Sequence, residues 1–336
     1  MRIGLSYDFA NPAPWRRDEA EFLNNEIDQI VWADSLGIDG AWITEHHFVD
    51  SYLCAPLAIL AALATRTKRI RLGTSITVTP LYHPVRLAED LAVIDVLSRG
   101  RLEWGAGIGW SVEEFKVFGV DPSKRVGRTR EIIEIVKRAW TEEAFSFHGQ
   151  HFDFASVRVV PKPVQKPHPP ILAGATSLAA AQRVGRWGLP MQWINREMGE
   201  AYLEAYAAAG HPIEQAAIDG HINLFACDDP EALWPQVRDH YLWQSNRNRG
   251  HLRATAGGGQ ETRPHDTLAD LDRAREKGSL IFGTPDQVVE AVKRLSTGLP
   301  VKGIVCHNRV CGMPDEISNR HVELMACVVG PALRDL

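Results

Sequence analysis

The sequence predicts an α/β protein built as a single (β/α)8 TIM barrel over residues 1–336, with insertions before the fifth and before the eighth strand. Short β-like runs alternate with helical patterns from the start of the chain, and repeated βα units predict a parallel sheet covered by helices. Eight such runs can be counted, and 336 residues is a length that one closed barrel occupies. In order, RIGLSYDF precedes a helix over about 18–36, GIDGAWITEH precedes a helix over 56–68, and IRLGTSITV precedes one over HPVRLAEDLAVIDVLS. RLEWGAGIG is the fourth strand, and PPILAGA, GLPMQWIN, HINLFAC and KGIVCHN are the fifth to eighth. Helices over 177–187, over GEAYLEAYAAAG and over 230–243 separate the last four, and a terminal helix follows.

Two segments break the pattern. Residues 144–169 alternate like a hairpin and then become rich in proline, which reads as an insertion. Residues 246–278 are polar, with three glycines at 257–259. A loop that long inside a compact domain is usually a lid or a linker, and its place before the last strand predicts a mobile cover over the active site.

Composition narrows the function. With 45% hydrophobic and 24% charged residues the chain has material for a large core. A net charge of -5 and the lack of a basic run speak against nucleic-acid binding. Cys54, Cys227, Cys306, Cys311 and Cys327 are odd in number, widely spread and without a CxxC pair, so they read as reduced thiols outside any disulfide framework or zinc site. MRIGLSYDF lacks a charged stretch followed by an apolar one, and no segment reaches membrane-span length; a cytoplasmic protein is expected.

The chemistry concentrates at GAWITEHHF, residues 40–48, where an apolar strand ends in a glutamate and two histidines. Successive side chains of a strand face opposite ways, so only one of His46 and His47 can enter a given pocket. Imidazole titrates near neutrality, which makes that one the candidate for proton transfer; the bland reading is a structural pair. WGAGIGW at 104–110 leaves backbone N–H groups open to a ligand but lacks the spacing of a dinucleotide fingerprint. AGATS at 173–177 joins a strand to a helix, with Thr176 or Ser177 at the N-cap, where free N–H groups favour a phosphate as well as ordinary capping. Arg125 and Arg128 precede an amphipathic helix and are candidates to reach that phosphate. His83 reads as a turn residue, and Glu113 and Glu114 as a solvated first helical turn.

Together these residues resemble the bacterial luciferase-like flavin monooxygenases. WITEHHF is similar to that family's second-strand motif, and LGTSITVTPLYHPVRLAEDLAVIDVLSRGRLEWGAGIG resembles its central signature. FKVFGVD, GLPMQWIN, GTPDQVVEAVKRL and MPDEISNRHVEL follow in the family's order. The resemblance implies a barrel binding FMN, as reduced FMN supplied by a separate flavin reductase through diffusive transfer, with dioxygen adding to give a C4a-(hydro)peroxyflavin that oxygenates a small organic substrate. It implies His46 as the catalytic histidine, His47 in support, and a cis peptide at Ser75–Ile76 against the flavin. It also places Gly174, Ala175, Thr176 and Ser177 at the phosphate, Arg125 or Arg128 beside it, and Trp193 near the ring. Gly107 stands where luciferase has its reactive cysteine, Ile108 where it has a phosphate-binding arginine, and Leu178 where it has a threonine. Light emission therefore does not follow, and a homodimer acting on a hydrophobic substrate is expected. The alternatives are a deazaflavin (F420)-dependent oxidoreductase and a flavin-binding protein without turnover. A metal hydrolase fits poorly, because adjacent histidines are badly placed for one metal.

Overall fold

A computed structural model describes residues 1–254 and 267–334, with side chains placed to residue 246 in the first stretch. Eight parallel strands close on themselves: β1 (Arg2–Tyr7), β2 (Gly40–Ile43), β3 (Arg71–Thr74), β4 (Leu102–Gly107), β5 (Ile171–Gly174), β6 (Met191–Gln192), β7 (Ile218–His221) and β8 (Val301–His307). All pairings are parallel, from Leu5–Ala41 between β1 and β2 round to Leu5–Cys306 between β1 and β8, with one register shift between Ile218 and Asp219 where β7 pairs with β8, so the carboxyl ends of all strands meet at one mouth. The helices between and after them are α1 (Glu19–Leu36), α2 (Pro56–Arg66), α3 (Pro84–Leu97), α4 (Val112–Val117), α5 (Arg125–Thr141), α6 (Leu178–Arg186), α7 (Arg196–Ala208), α8 (Pro230–Ala254), α9 (Leu268–Glu276), α10 (Pro285–Ser296) and α11 (Asp315–Leu324). Each begins as its sequence dictates where a cap is present: Asp18, Ser177, Asn195, Thr267 and Thr284 accept a backbone N–H at the N-termini of α1, α6, α7, α9 and α10.

The amino end of the barrel is closed by side chains. Trp42 fills it, and a Cβ on Gly4, Gly40 or Gly73 would overlap its ring. Below it Arg2 pairs with Glu103 at 2.6 Å and with Asp219 at 2.8 Å, and Arg71 also meets Glu103. Buried charges of this kind are tolerated when paired, and they leave the carboxyl mouth as the open end.

Two expectations need correction. The seventh barrel strand is Ile218–His221, whereas the more apolar Leu224–Ala226 pairs in parallel with Ile281–Gly283 in a separate two-stranded sheet. That sheet packs under α8 and α9 in a satellite core of Phe225, Trp234, Val237, Leu271 and Phe282. The segment 246–278 is also less irregular than its composition indicates, since α8 runs on to Ala254 and α9 occupies Leu268–Glu276 behind a Thr267–Asp270 capping box. The remainder of the expected lid, 255–266, lies outside the described residues. The insertion before β5 is a hairpin, Phe145–His148 against Asp153–Val157. Among the described residues no helix is long and apolar enough to cross a membrane.

Candidate active site

Every strand end contributes to the mouth. After β2 the chain runs Thr44, Glu45, His46, His47, and His46 turns one way while Glu45 and His47 turn the other and meet. His46 Nδ1 lies 3.3 Å from Glu114 Oε1, and its ring meets Tyr52 and Trp110 at 4.5 and 5.4 Å between centroids. His47 turns the other way, with Nε2 2.9 Å from Glu45 Oε1 and its ring against Phe118. A carboxylate accepts, so the proton of neutral His46 sits on Nδ1 and leaves the Nε2 lone pair available as a base or acceptor.

Glu114 is a correction to the sequence reading. It is 2% exposed and accepts the His47 backbone N–H at 2.9 Å, while its neighbour Glu113 is the solvated acid. Glu45 instead accepts the Val78 N–H and the Tyr82 hydroxyl, each at 2.9 Å. Burial, then the Glu45 carboxylate, push the Tyr82 phenol well above its ordinary value. Glu45 thereby ties the end of β2 to the segment after β3.

That segment contains the cis peptide Ser75–Ile76. Ile76 lies between two glycines: a Cβ on Gly107 would overlap its side chain, and one on Gly174 would come within 3.0 Å. The glycines at these strand ends therefore serve close approach. Ile108, next to Gly107, is half-buried. Ala175 is buried and Thr176 exposed, and Ser177 is the N-cap of α6, accepting from the Ala180 N–H at 3.3 Å.

The two candidate arginines part company. Arg128 donates to the Pro80 carbonyl at 2.7 Å and covers the Phe152 ring at 4.5 Å. Arg125 donates to the Pro122 carbonyl at 3.2 Å but has a buried Nε without a partner. Arg183 on α6, not singled out from sequence, stands near it: burial, then the like charges of Arg125 and Arg186, hold its guanidinium below the ordinary value. Among the described residues no carboxylate pairs with Arg125 or Arg183 within 4 Å. The position of Arg183, one turn into a capped helix after AGATS, was the available signal. His83 is exposed at the start of α3 and meets the Phe152 ring edge-on.

The opposite arc of the mouth carries imidazoles. Trp193 after β6 stacks on His221 at the end of β7, with centroids 5.7 Å apart and planes 13° from parallel. His221 meets His307 at the end of β8 at 4.7 Å, and His307 Nδ1 lies 3.3 Å from Asp8 Oδ2. Thr44 donates to Asp8 Oδ1 at 3.1 Å. Burial, then the charge of His307, lower the His221 value to about 3, so this ring is neutral. For His307 burial is outweighed by Asp8, and its value rises.

The luciferase-like monooxygenase family model matches residues 1–300. The alkanal monooxygenase alpha chain of Photorhabdus luminescens is 32% identical, over 85% of each chain. The oxygenase component of a flavin-dependent trigonelline monooxygenase from Acinetobacter baylyi is 36% identical over 56% of this chain and 53% of its own. The crystal structure of monooxygenase RslO1 from Streptomyces bottropensis superposes with a TM-score of 0.81 at 27% identity, covering 97% of this chain and 98% of that one. Two others share the fold: the oxygenating constituent of a Pseudomonas putida 3,6-diketocamphane monooxygenase with FMN (TM-score 0.79, 21% identity, 99% and 98% covered) and an F420-dependent secondary alcohol dehydrogenase (0.73, 18%, 99% and 99%). With a (β/α)8 barrel and a family match over most of its length, the chain is an oxidoreductase of the luciferase-like, flavin-dependent monooxygenase family.

Proposed function

We propose that this chain is the oxygenase of a two-component, FMN-dependent monooxygenase, taking reduced FMN by diffusion from a separate reductase and using dioxygen to oxygenate a small hydrophobic substrate. The observation that carries the choice of cofactor arc is the pair of guanidiniums, Arg125 and Arg183, which repel each other and have no carboxylate within 4 Å among the described residues, with the Arg125 Nε buried and unpartnered. Such an arrangement calls for an anion, and a helix N-terminus capped by Ser177 adds backbone donors for a phosphate. Gly174, Ala175 and Thr176 complete that loop, while Ser75, Ile76, Gly107 and Ile108, with the Ile76 side chain seated between Gly107 and Gly174, give an apolar wall for a ring system, with Trp193 across the mouth. Arg128 supports the wall through Pro80.

Bound reduced FMN would supply the electrons that activate dioxygen. His46, its Nδ1 held by Glu114, presents Nε2 as the proton acceptor and donor at the reacting centre. Trp110 and Tyr52 flank that ring and leave it partly open to the mouth. The relatives named as oxygenase component and as FMN complex support the reductase and the cofactor. Exposed Val93, Val96 and Leu97 on α3 support pairing of two copies of this chain.

Deazaflavin F420 is the second reading, favoured by the F420-dependent structure of the same fold. Anaerobic competition between reduced FMN and reduced F420 decides between them. Saturable binding of FMN that F420 does not displace is expected; preference for F420 overturns the assignment.

A further inference from the structure

Asp8, His221 and His307 are not explained by a flavin site. They come from β1, β7 and β8, on the arc away from Gly107 and Gly174. His221 is 7% exposed and its Nδ1 is buried without a partner. Buried imidazole nitrogens are normally satisfied, so an orphan at a mouth marks a place where another molecule completes the contact. The His307 side chain is 26% exposed; among the described residues its one polar contact is the charge contact of Nδ1 with Asp8 at 3.3 Å, outside hydrogen-bond alignment, so its Nδ1 too lacks a full partner. With Nδ1 turned to the carboxylate, protonation of the ring places the second proton on Nε2, a donor without a protein acceptor among the described residues.

The position of this pair is well supported. Asn308, the next residue, donates to Glu26 at 3.1 Å and to Gln29 at 2.8 Å, and Arg309 pairs with Glu26 at 2.7 Å. The end of β8 is therefore fixed from behind. The titratable groups around His307 are Asp8 from β1, His221 from β7, Cys306 beside it in the chain and His321 from α11. His321 is committed elsewhere: its Nδ1 accepts the Ala226 N–H at 2.9 Å. The group is not built for a metal, since no cluster of three or more His, Cys, Asp or Glu among the described residues is arranged to hold one.

We propose that His307, set by Asp8 and flanked by His221, is the docking point for the carbonyl oxygen of the organic substrate, with Nε2–H as donor. A protonated His307 balances the charge of Asp8, and His221 is uncharged. A neutral acceptor therefore suits the site better than a carboxylate, which would place a third charge beside Asp8. The stacked Trp193–His221 faces give the apolar body of such a molecule a wall. This inference rests on reading the mouth as the active site, but it does not depend on which flavin binds.

The test uses histidine Cε1–Hε1 NMR on full-length protein, with acetophenone as probe, ethylbenzene as its counterpart without oxygen, and benzoate as the charged counterpart. The His221→Gln and His307→Gln variants assign the two resonances, and the remaining histidine signals report that each is folded. Acetophenone is expected to shift both resonances saturably. Ethylbenzene should leave that of His307 in place, and benzoate should act at least tenfold more weakly. In Asp8→Asn the acetophenone shift should be lost and the His307 titration midpoint should fall. Equal shifts from ethylbenzene, stronger shifts from benzoate, no shift at all, or an unmoved midpoint in Asp8→Asn would each overturn the proposal. Flavin-free and FMN-containing samples are compared, so failure of FMN to bind is seen in its own fluorescence and leaves the histidine readout intact.

Discussion

Glu114→Gln separates the support of His46 from the packing around it. The amide keeps the shape and one acceptor oxygen, so the backbone N–H of His47 at 2.9 Å retains a partner and the fold should hold. What changes is the charge. Hydrogen bonds to a charged group are worth about 1.5–3 kcal/mol against about 0.5–1.5 for neutral pairs, a difference of about 1–1.5 per bond. Two bonds are affected, but the one to His46 is 3.3 Å long and that side chain is 21% exposed, so its share is discounted. The share that acts on His46 is about 1 kcal/mol, or roughly fivefold in a step that depends on the orientation of that ring, while the share at His47 weakens stability. The assay mixes the variant, loaded anaerobically with reduced FMN, with oxygenated buffer and follows the lifetime of the first oxygen-dependent absorbance transient. Glu113→Gln, one residue away and solvated, is the control and should match wild type. A Glu114→Gln transient as long-lived as wild type would refute the role given to this carboxylate.

Arg125→Met should weaken reduced-FMN binding at least tenfold by removing a charge-assisted phosphate contact, whereas Arg128→Met should act mainly on stability through Pro80 and Phe152; equal effects on binding would contradict this division. Tyr82→Phe should cost about 1–3 kcal/mol in urea unfolding, because Glu45 loses one of the donors at its buried Oε1. Acid should destabilise the protein well above the carboxylate range. His221 and His321 have folded values of about 3 and about 4, so the unfolded chain takes up their protons first, and stability falls as pH drops below about 6.5. Between pH 8 and 5 each costs about 2 kcal/mol, while His307, whose folded value is raised, works in the opposite sense. His321→Asn, which keeps an acceptor for the Ala226 N–H, should roughly halve the combined slope of those two groups; a urea midpoint with the wild-type pH dependence would count against it.

The barrel was legible because its strands are short apolar runs between helices whose caps are written in the chain, as at Asp18, Ser177 and Thr284. β7 was not, for a physical reason. Ile218–His221 is half polar, since Asp219 serves the ion pairs at the closed end and His221 the mouth, and the more apolar Leu224–Ala226 draws the eye to the satellite sheet. Glu114 has the sequence appearance of an acid in a solvated helical turn, and only the approach of His46 and the His47 backbone N–H, 68 and 67 positions away, gives it partners. Asp8, His221 and His307 span nearly the whole chain. Each is a polar residue at the end of a strand, in SYDF, DGH and CHN, which is the cue that could have joined them.

In the proposed function this mouth, with His46 at its centre, controls the reaction of reduced FMN with oxygen. The most direct measurement is rapid mixing of the anaerobic complex of protein and reduced FMN with air-saturated buffer, recording full spectra for wild type and His46→Ala. A flavin–oxygen transient that persists in wild type and decays markedly faster in the variant is expected. Reoxidation at the rate of free reduced FMN in both proteins, with no transient, would contradict that role.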